Sequence, residues 1–191
     1  MSDYVDDIEH ELKESMLVLE KTQRMSQVVS KAVEAIVSSY KNKGKLIVFG
    51  NGGSAADSQH IAGELVSKFY LERAALNAVA LTVNTSILTA IGNDSSFDDV
   101  FSRQVEAIAQ KNDVVLAIST SGNSKNVING LKAAKKIGCT TIGMTGESGG
   151  KMKSMPDILI NVPSGKTPRV QEAHIAIAHI ICGLVEKELF A

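Results

Sequence analysis

His60 and Glu64 lie four residues apart in a segment whose apolar spacing predicts a helix. That interval puts both side chains on one helix face, one turn apart. An imidazole and a carboxylate so placed can share a metal ion or work as an acid–base pair, and can equally be a solvated i,i+4 hydrogen bond. Position argues for chemistry. The pair stands close behind Gly50-Asn51-Gly52-Gly53-Ser54, a glycine loop that ends a short apolar run. Glycines let a ligand approach the backbone, and the helix that follows offers unpaired N–H groups and the positive end of its dipole. An ordinary strand-to-helix turn would read the same way. The loop is neither GxGxxG nor a Walker A sequence, so a dinucleotide or nucleoside triphosphate is not indicated.

A second loop, Ser119-Thr120-Ser121-Gly122-Asn123-Ser124, carries four hydroxyls around one glycine between a buried-type strand and a helix. Hydroxyls and backbone N–H groups can cradle a phosphate ester without any arginine. An N-cap with serine turns uses the same residue types, but one cap needs one hydroxyl. The last helical segment, TPRVQEAHIAIAHIICGLVEKEL, is apolar nearly all round its middle and still holds Gln171, His174 and His179. Buried polar groups need partners. His174 reads as a core or interface histidine held by one hydrogen bond. His179 sits deepest in the apolar run, where a polar group is costliest, and a functional role suits it better.

The elements that position these groups follow from hydrophobic periodicity. Val5, Ile8, Leu12, Met16 and Leu19, then Val29, Val33, Ile36 and Tyr40, predict one long amphipathic helix over residues 2–42. It is expected to bend near Thr22 to Ser26 and to stop at Lys43-Gly44. Strands are then predicted over Lys45 to Gly50, Ala78 to Val83, Asp113 to Ser119, Thr140 to Met144 and Ile158 to Val162. Helices alternate with them over Ala55 to Phe69, Thr85 to Ile91, Asp98 to Gln110, Ser124 to Ile137 and from Pro168 onward, with Thr167 as N-cap. This alternation predicts an α/β, doubly wound, mostly parallel sheet with helices on both faces. Ligands in such sheets bind at the carboxyl ends of strands, where strand order reverses. The chain reads as a single domain over 1–191, an N-terminal helix over 1–43 and an α/β core over 44–191.

Composition narrows the partners. The 191 residues carry a net charge of −1, with 44% hydrophobic and 21% charged residues, so no basic surface awaits nucleic acid or a membrane. Cys139 and Cys182 lie in apolar segments and read as core filler. The acidic opening MSDYVDDIEHELK lacks the pattern of a signal peptide, and the longest nearly apolar run, Ile175 to Val185, is too short to span a bilayer. A cytoplasmic protein is expected.

VFGNGGSAADSQHIAGEL, AIGNDSSF, LAISTSGNSKNV and PRVQEAHIAIAHI, in this order and spacing, closely resemble the phosphoheptose isomerases of the SIS (sugar isomerase) domain family over nearly the whole chain. NGGSA and STSGNS are common across SIS proteins, whereas HIAGEL with QEAHI and the later histidine is narrower. The resemblance implies a flavodoxin-like fold and a homotetramer with active sites at subunit interfaces. It implies conversion of sedoheptulose 7-phosphate to D-glycero-D-manno-heptose 7-phosphate through an enediol, the first step of nucleotide-heptose supply. It further implies zinc, one per subunit, on His60, Glu64, Gln171 and His179, with Glu64 as base and His179 as acid. Substrate contacts carried over are Asn51, Gly52, Gly53, Ser54, Glu64, Asn93, Asp94, Ser119, Thr120, Ser121, Ser124 and Gln171.

Two alternatives stand beside this. One is a non-catalytic SIS protein that binds a phosphosugar or a replication initiator; the presence of His60, Glu64, Gln171 and His179 together argues against it. The other is an isomerase of a different sugar phosphate, which the Gln171 and His179 helix disfavours. Those two residues are eight apart, ~12 Å along a straight helix and roughly 80° apart in rotation. They would reach one metal only at full stretch. At least one group is therefore expected from a neighbouring subunit, unless the helix is distorted near Glu172.

Overall fold

Hydroxyls that bond back onto the backbone break the N-terminal periodicity where a bend was expected. In the computed structural model, which describes residues 4–191, α1 (Val5–Thr22) and α2 (Ser26–Lys41) are joined by a 3-10 turn over Gln23–Met25. Thr22 Oγ1 donates to Val18 O at 2.7 Å and Ser26 Oγ to Gln23 O at 2.6 Å, contacts that bend helices. Residues 2 and 3 of the predicted helix lie outside the described residues. The helix stops as predicted: Lys43 turns left-handed (φ 62°), and a side chain at Gly44 would meet Asn112 O at 2.3 Å.

The α/β core follows as β1 (Leu46–Gly50), α3 (Gly53–Val66), β2 (Ala78–Ala80), α4 (Thr85–Asp94), α5 (Ser102–Ile108) and β3 (Val114–Ile118). It continues as α6 (Lys125–Ile137), β4 (Thr140–Thr145), β5 (Ile158–Asn161) and α7 (Thr167–Phe190). All five strands are parallel in the order β2-β1-β3-β4-β5, the doubly wound arrangement, and the order reverses between β1 and β3. Alternating side chains of the buried strands feed two cores. Val48, Leu116, Ile142 and Met144 pack with Ile36, Ile177 and Ile181 of α2 and α7. Ile47, Phe49, Val115 and Ala117 pack on the opposite face with Phe101, Val127 and Leu131.

Several boundaries differ from expectation. The segment predicted as a helix over Asp98 to Gln110 begins as a 3-10 turn at Phe97–Asp99, because Ser96 Oγ accepts from Asp98 N at 3.1 Å, and α5 starts only at Ser102. Thr167 lies inside α7 rather than capping it. Lys166 is the cap residue, its N–H held by Ser164 Oγ at 3.2 Å. Cys139 and Cys182 are free and buried, as expected of core filler. Among the described residues no helix is long and apolar enough to cross a membrane.

Candidate active site

β1 and β3 pair directly, so the two loops singled out in the sequence leave the sheet side by side at the point of reversal. The first is tied to the second by a side-chain pair: Asn51 and Asn126 exchange two amide hydrogen bonds, each 2.9 Å. Gly52 takes φ 56° and stands at the N-cap of α3, which has no side-chain cap. At Gly53, a Cβ would sit 2.4 Å from Gln171 Nε2, so glycine is what lets the Gln171 amide lie against this loop.

The second loop is held from behind by the segment after β4. Gly146 N donates to Thr120 O at 2.8 Å, Met152 N to Gly122 O at 3.0 Å and Lys151 N to Asn123 Oδ1 at 3.1 Å. Gly122 is left-handed (φ 64°), and a Cβ there would meet Gly149 O at 2.1 Å. Ser121 Oγ accepts from Asn123 N at 3.1 Å, a serine turn. Ser124 occupies the N-cap of α6 without capping it; its hydroxyl instead faces Ser119 Oγ at 3.1 Å. Two helices thus open, without side-chain caps, on the same edge of the sheet. Their dipoles favour an anion there, although Ser54 N and Ala55 N already bond to Asn51 O and Gly52 O and Val127 N to Asn126 Oδ1.

The third part of the site lies further along α3. Glu64 Oε1 is 2.9 Å from His60 Nε2, and His60 Nε2 is 3.4 Å from His179 Nε2 on α7. The three side chains offer ligand atoms within 4.8 Å of one another. Two imidazole nitrogens and a carboxylate oxygen are a common protein donor set for catalytic zinc. The donor chemistry therefore fits a metal ion of that kind. Phe69 lies tilted over the His179 ring, centroids 5.9 Å apart.

One expectation needs correction here. His179 is not the deepest polar group of α7; it is half-buried and faces α3. His174 is the deep one, 1% exposed, with Nε2 donating to Thr145 O at 3.2 Å and Nδ1 without a partner. Burial pushes its pKa down to about 4, against the Thr145 hydrogen bond, so it stays neutral. His60, Glu64 and His179 converge within a single chain, because α3 supplies two of the three groups. α7 is continuous from Thr167 to Phe190 with no break near Glu172, and Gln171 lies against Gly53.

The remaining predicted contacts divide. Ser54 is buried at the start of α3, so its backbone rather than its hydroxyl borders the loop. Asn93 and Asp94 end α4, exposed, with Asn93 Nδ2 donating to Asp94 Oδ1 at 2.7 Å. Sequence reasoning missed Asn126, whose only signal was a polar residue on the first turn of α6. It also missed Asp57, one turn before His60 on the same side of α3. Oδ2 of Asp57 is buried without a hydrogen-bond partner, and burial raises its pKa while nearby His60 opposes the rise.

Residues 9–146 match the SIS domain family. The chain is 54% identical over 186 residues to the phosphoheptose isomerase of Clostridium acetobutylicum, covering 96% of this chain and 95% of that protein. It superposes on the phosphoheptose isomerase GmhA of Neisseria gonorrhoeae with a TM-score of 0.92 and 41% identity, over 97% of this chain and 100% of that one. The phosphoheptose isomerase structure from Francisella tularensis gives a TM-score of 0.94 at 33% identity, over 97% and 100% of the two chains.

Proposed function

The chain belongs to the SIS domain family, among its phosphoheptose isomerases, and from this premise we propose how its site interconverts sedoheptulose 7-phosphate and D-glycero-D-manno-heptose 7-phosphate. The observation that carries the reading is the convergence of Glu64 and His179, from two different helices, beside two open helix N-termini. A non-catalytic phosphosugar-binding role would not require that convergence.

The phosphate sits on the second loop, where Ser119, Thr120, Ser121 and Ser124 surround the start of α6. Asn51, Gly52, Gly53 and Ser54 border the sugar from the first loop, with Gln171, Asn93 and Asp94 as further contacts. Anchoring the phosphate holds C1 and C2 in place at the far end of the substrate. Glu64 then removes a proton from C1 while His179 gives one to the C2 oxygen, which yields the enediol. His179 takes the proton of the C1 hydroxyl, Glu64 returns its proton to C2, and the aldose results. Zinc, one per subunit, would be held by His60, Glu64 and His179, with Gln171 as the expected fourth ligand, and when bound would supply Lewis acidity toward the substrate oxygens.

Exposed apolar side chains support assembly into a homotetramer with the sites at subunit interfaces. Val5, Ile8, Leu12 and Met16 form an exposed stripe along α1, and Tyr70, Ile180 and Leu184 are exposed near His179. A groove of about 600 Å³ lined by Tyr70, Leu71, His179, Ile180 and Leu184 adjoins the site. Covering it would withdraw His179, which lines the groove, from bulk water. The enzyme acts in the cytoplasm on a soluble sugar phosphate, without nucleic acid or membrane partners, and feeds heptose to cell-envelope glycans. The test is an aldehyde-detecting assay on a panel of ketose phosphates, with and without chelator, beside light scattering for the assembly. Turnover confined to hexulose phosphates would overturn the heptose assignment.

A further inference from the structure

Glu186 lies on α7 seven residues beyond His179, two turns along and about 20° away in rotation, so both project from the same side of the helix. Its carboxylate accepts four hydrogen bonds. Oε1 takes the N–H groups of Tyr70 and Leu71 at 2.6 and 2.8 Å, and Oε2 takes Phe69 N and Arg73 Nε, both at 2.9 Å. The other arm of Arg73 reaches back to α3: its guanidinium donates to Glu64 O at 2.9 Å and Leu65 O at 2.8 Å, and also to Ser67 O and Ala74 O. Those carbonyls belong to the last turn of α3 and the residues after it, some of which helix geometry leaves without partners. Both side chains of the pair are 1% exposed.

The two ends of this pair are the two ends of the reaction. Arg73 grips the backbone of Glu64. Glu186 stands on the helix that carries His179, and it fixes the N–H of Phe69, whose ring lies over His179. A buried ion pair is weak evidence for a stability role, since apolar residues of similar volume often serve as well. What apolar residues could not do is hold two backbones at a set separation through a rigid fork of donors.

We infer that Arg73 and Glu186 are positioning residues for the isomerisation, setting the distance between Glu64 and His179. The inference rests on the reading of those two residues as base and acid. Arg73→Lys keeps the charge but cannot bridge Glu186 and the α3 carbonyls at once. In folded protein, verified by near-ultraviolet circular dichroism at the assay temperature, kcat should fall about 10- to 100-fold, as misplacements near 1 Å do. Zinc affinity, read by chelator competition without substrate, should fall by a similar factor. Affinity for inorganic phosphate should stay within about twofold, since the loops that hold it lie at the other end of α3.

Wild-type kcat and zinc affinity in folded Arg73→Lys would overturn the inference. So would a parallel loss of phosphate affinity, which would mean general loosening. If Arg73→Lys does not fold, Glu186→Gln carries the same test, because an amide nitrogen in place of Oε2 repels both Phe69 N and Arg73 Nε while the oxygen keeps the Tyr70 and Leu71 donors. Loss of fold in both would make the pair purely structural and also overturn it. A wild-type protein that does not turn over sedoheptulose 7-phosphate would sink the functional reading instead. Zinc affinity of the variants would then decide the positioning role alone.

Discussion

The Nε2 atoms of His60 and His179 face each other at 3.4 Å, with ring centroids 4.9 Å apart and planes at 73°. Two imidazole nitrogens that close need a shared proton or a shared cation, because two lone pairs repel. With Glu64 Oε1 beside them, a divalent cation is the natural third party. The purified protein should therefore hold one zinc per chain. His60→Ala should weaken zinc by more than the roughly 10- to 100-fold seen when outer-shell partners are lost. Elemental analysis and chelator competition measure both. Full zinc occupancy in the variant would move the metal elsewhere.

Asn126→Ala should damage substrate binding from a distance. It leaves the Asn51 amide without its two 2.9 Å partners at the junction of both loops. An unsatisfied buried amide costs about 1–3 kcal/mol, and the half-buried Asn51 amide bears a part of that, at the expense of the geometry of the first loop. KM for the sugar phosphate should rise while zinc content stays unchanged. A wild-type KM in steady-state kinetics would show that the loops hold their shape without this pair.

Ser121→Ala and Ser124→Ala should each weaken inorganic phosphate and sugar phosphate together. Ser124 withholds its hydroxyl from capping α6, which makes that hydroxyl available to an anion. Titration calorimetry with both ligands is the check. Unchanged affinity for both would reduce the loop to a helix start.

Much of this was legible in residue type and spacing, and the reason differs by element. The bend in the N-terminal helix was readable because Thr22 and Ser26 carry hydroxyls that compete locally for the backbone. Both loops were readable because glycines or hydroxyls cluster where a buried-type strand meets the start of a helix. His60 and Glu64 were readable from a single interval of four. His179 was misjudged because a helix apolar all round has no periodicity to say which face meets which neighbour. Spacing along α7 likewise cannot show that α3 supplies two of the three converging groups or that Gln171 lies against Gly53. The Arg73 and Glu186 pair, 113 residues apart, was invisible for the same reason. Only the packing of α7 against the end of α3 makes them neighbours.

Stability should fall on mild acidification, and His174 should be a principal cause. Burial holds its pKa at about 4, below the ordinary 6.5, so between those values the unfolded chain binds a proton that the native one refuses. Its contribution is complete above about pH 6.5 and is lost as pH falls toward 4. Glu186 extends the loss. Burial pushes its carboxyl up, but the N–H groups of residues 69–71 and Arg73 outweigh this and bring it down to about 2, so its share disappears between about pH 4.5 and 2. Urea midpoints at pH 7, 5.5 and 4.5 should decline for the native sequence and flatten over that range in His174→Gln. Parallel slopes would assign the acid sensitivity to other groups.

The central claim is that Glu64 moves the proton between C1 and C2, and turnover of sedoheptulose 7-phosphate by wild type and Glu64→Gln tests it most directly. The amide keeps the shape of the side chain and cannot accept the proton. Wild type should convert the ketose to the aldose, and the folded variant should lose about 10²- to 10⁴-fold in kcat, the usual worth of a general base. A folded Glu64→Gln protein within tenfold of wild type would contradict the account and place the base on another residue.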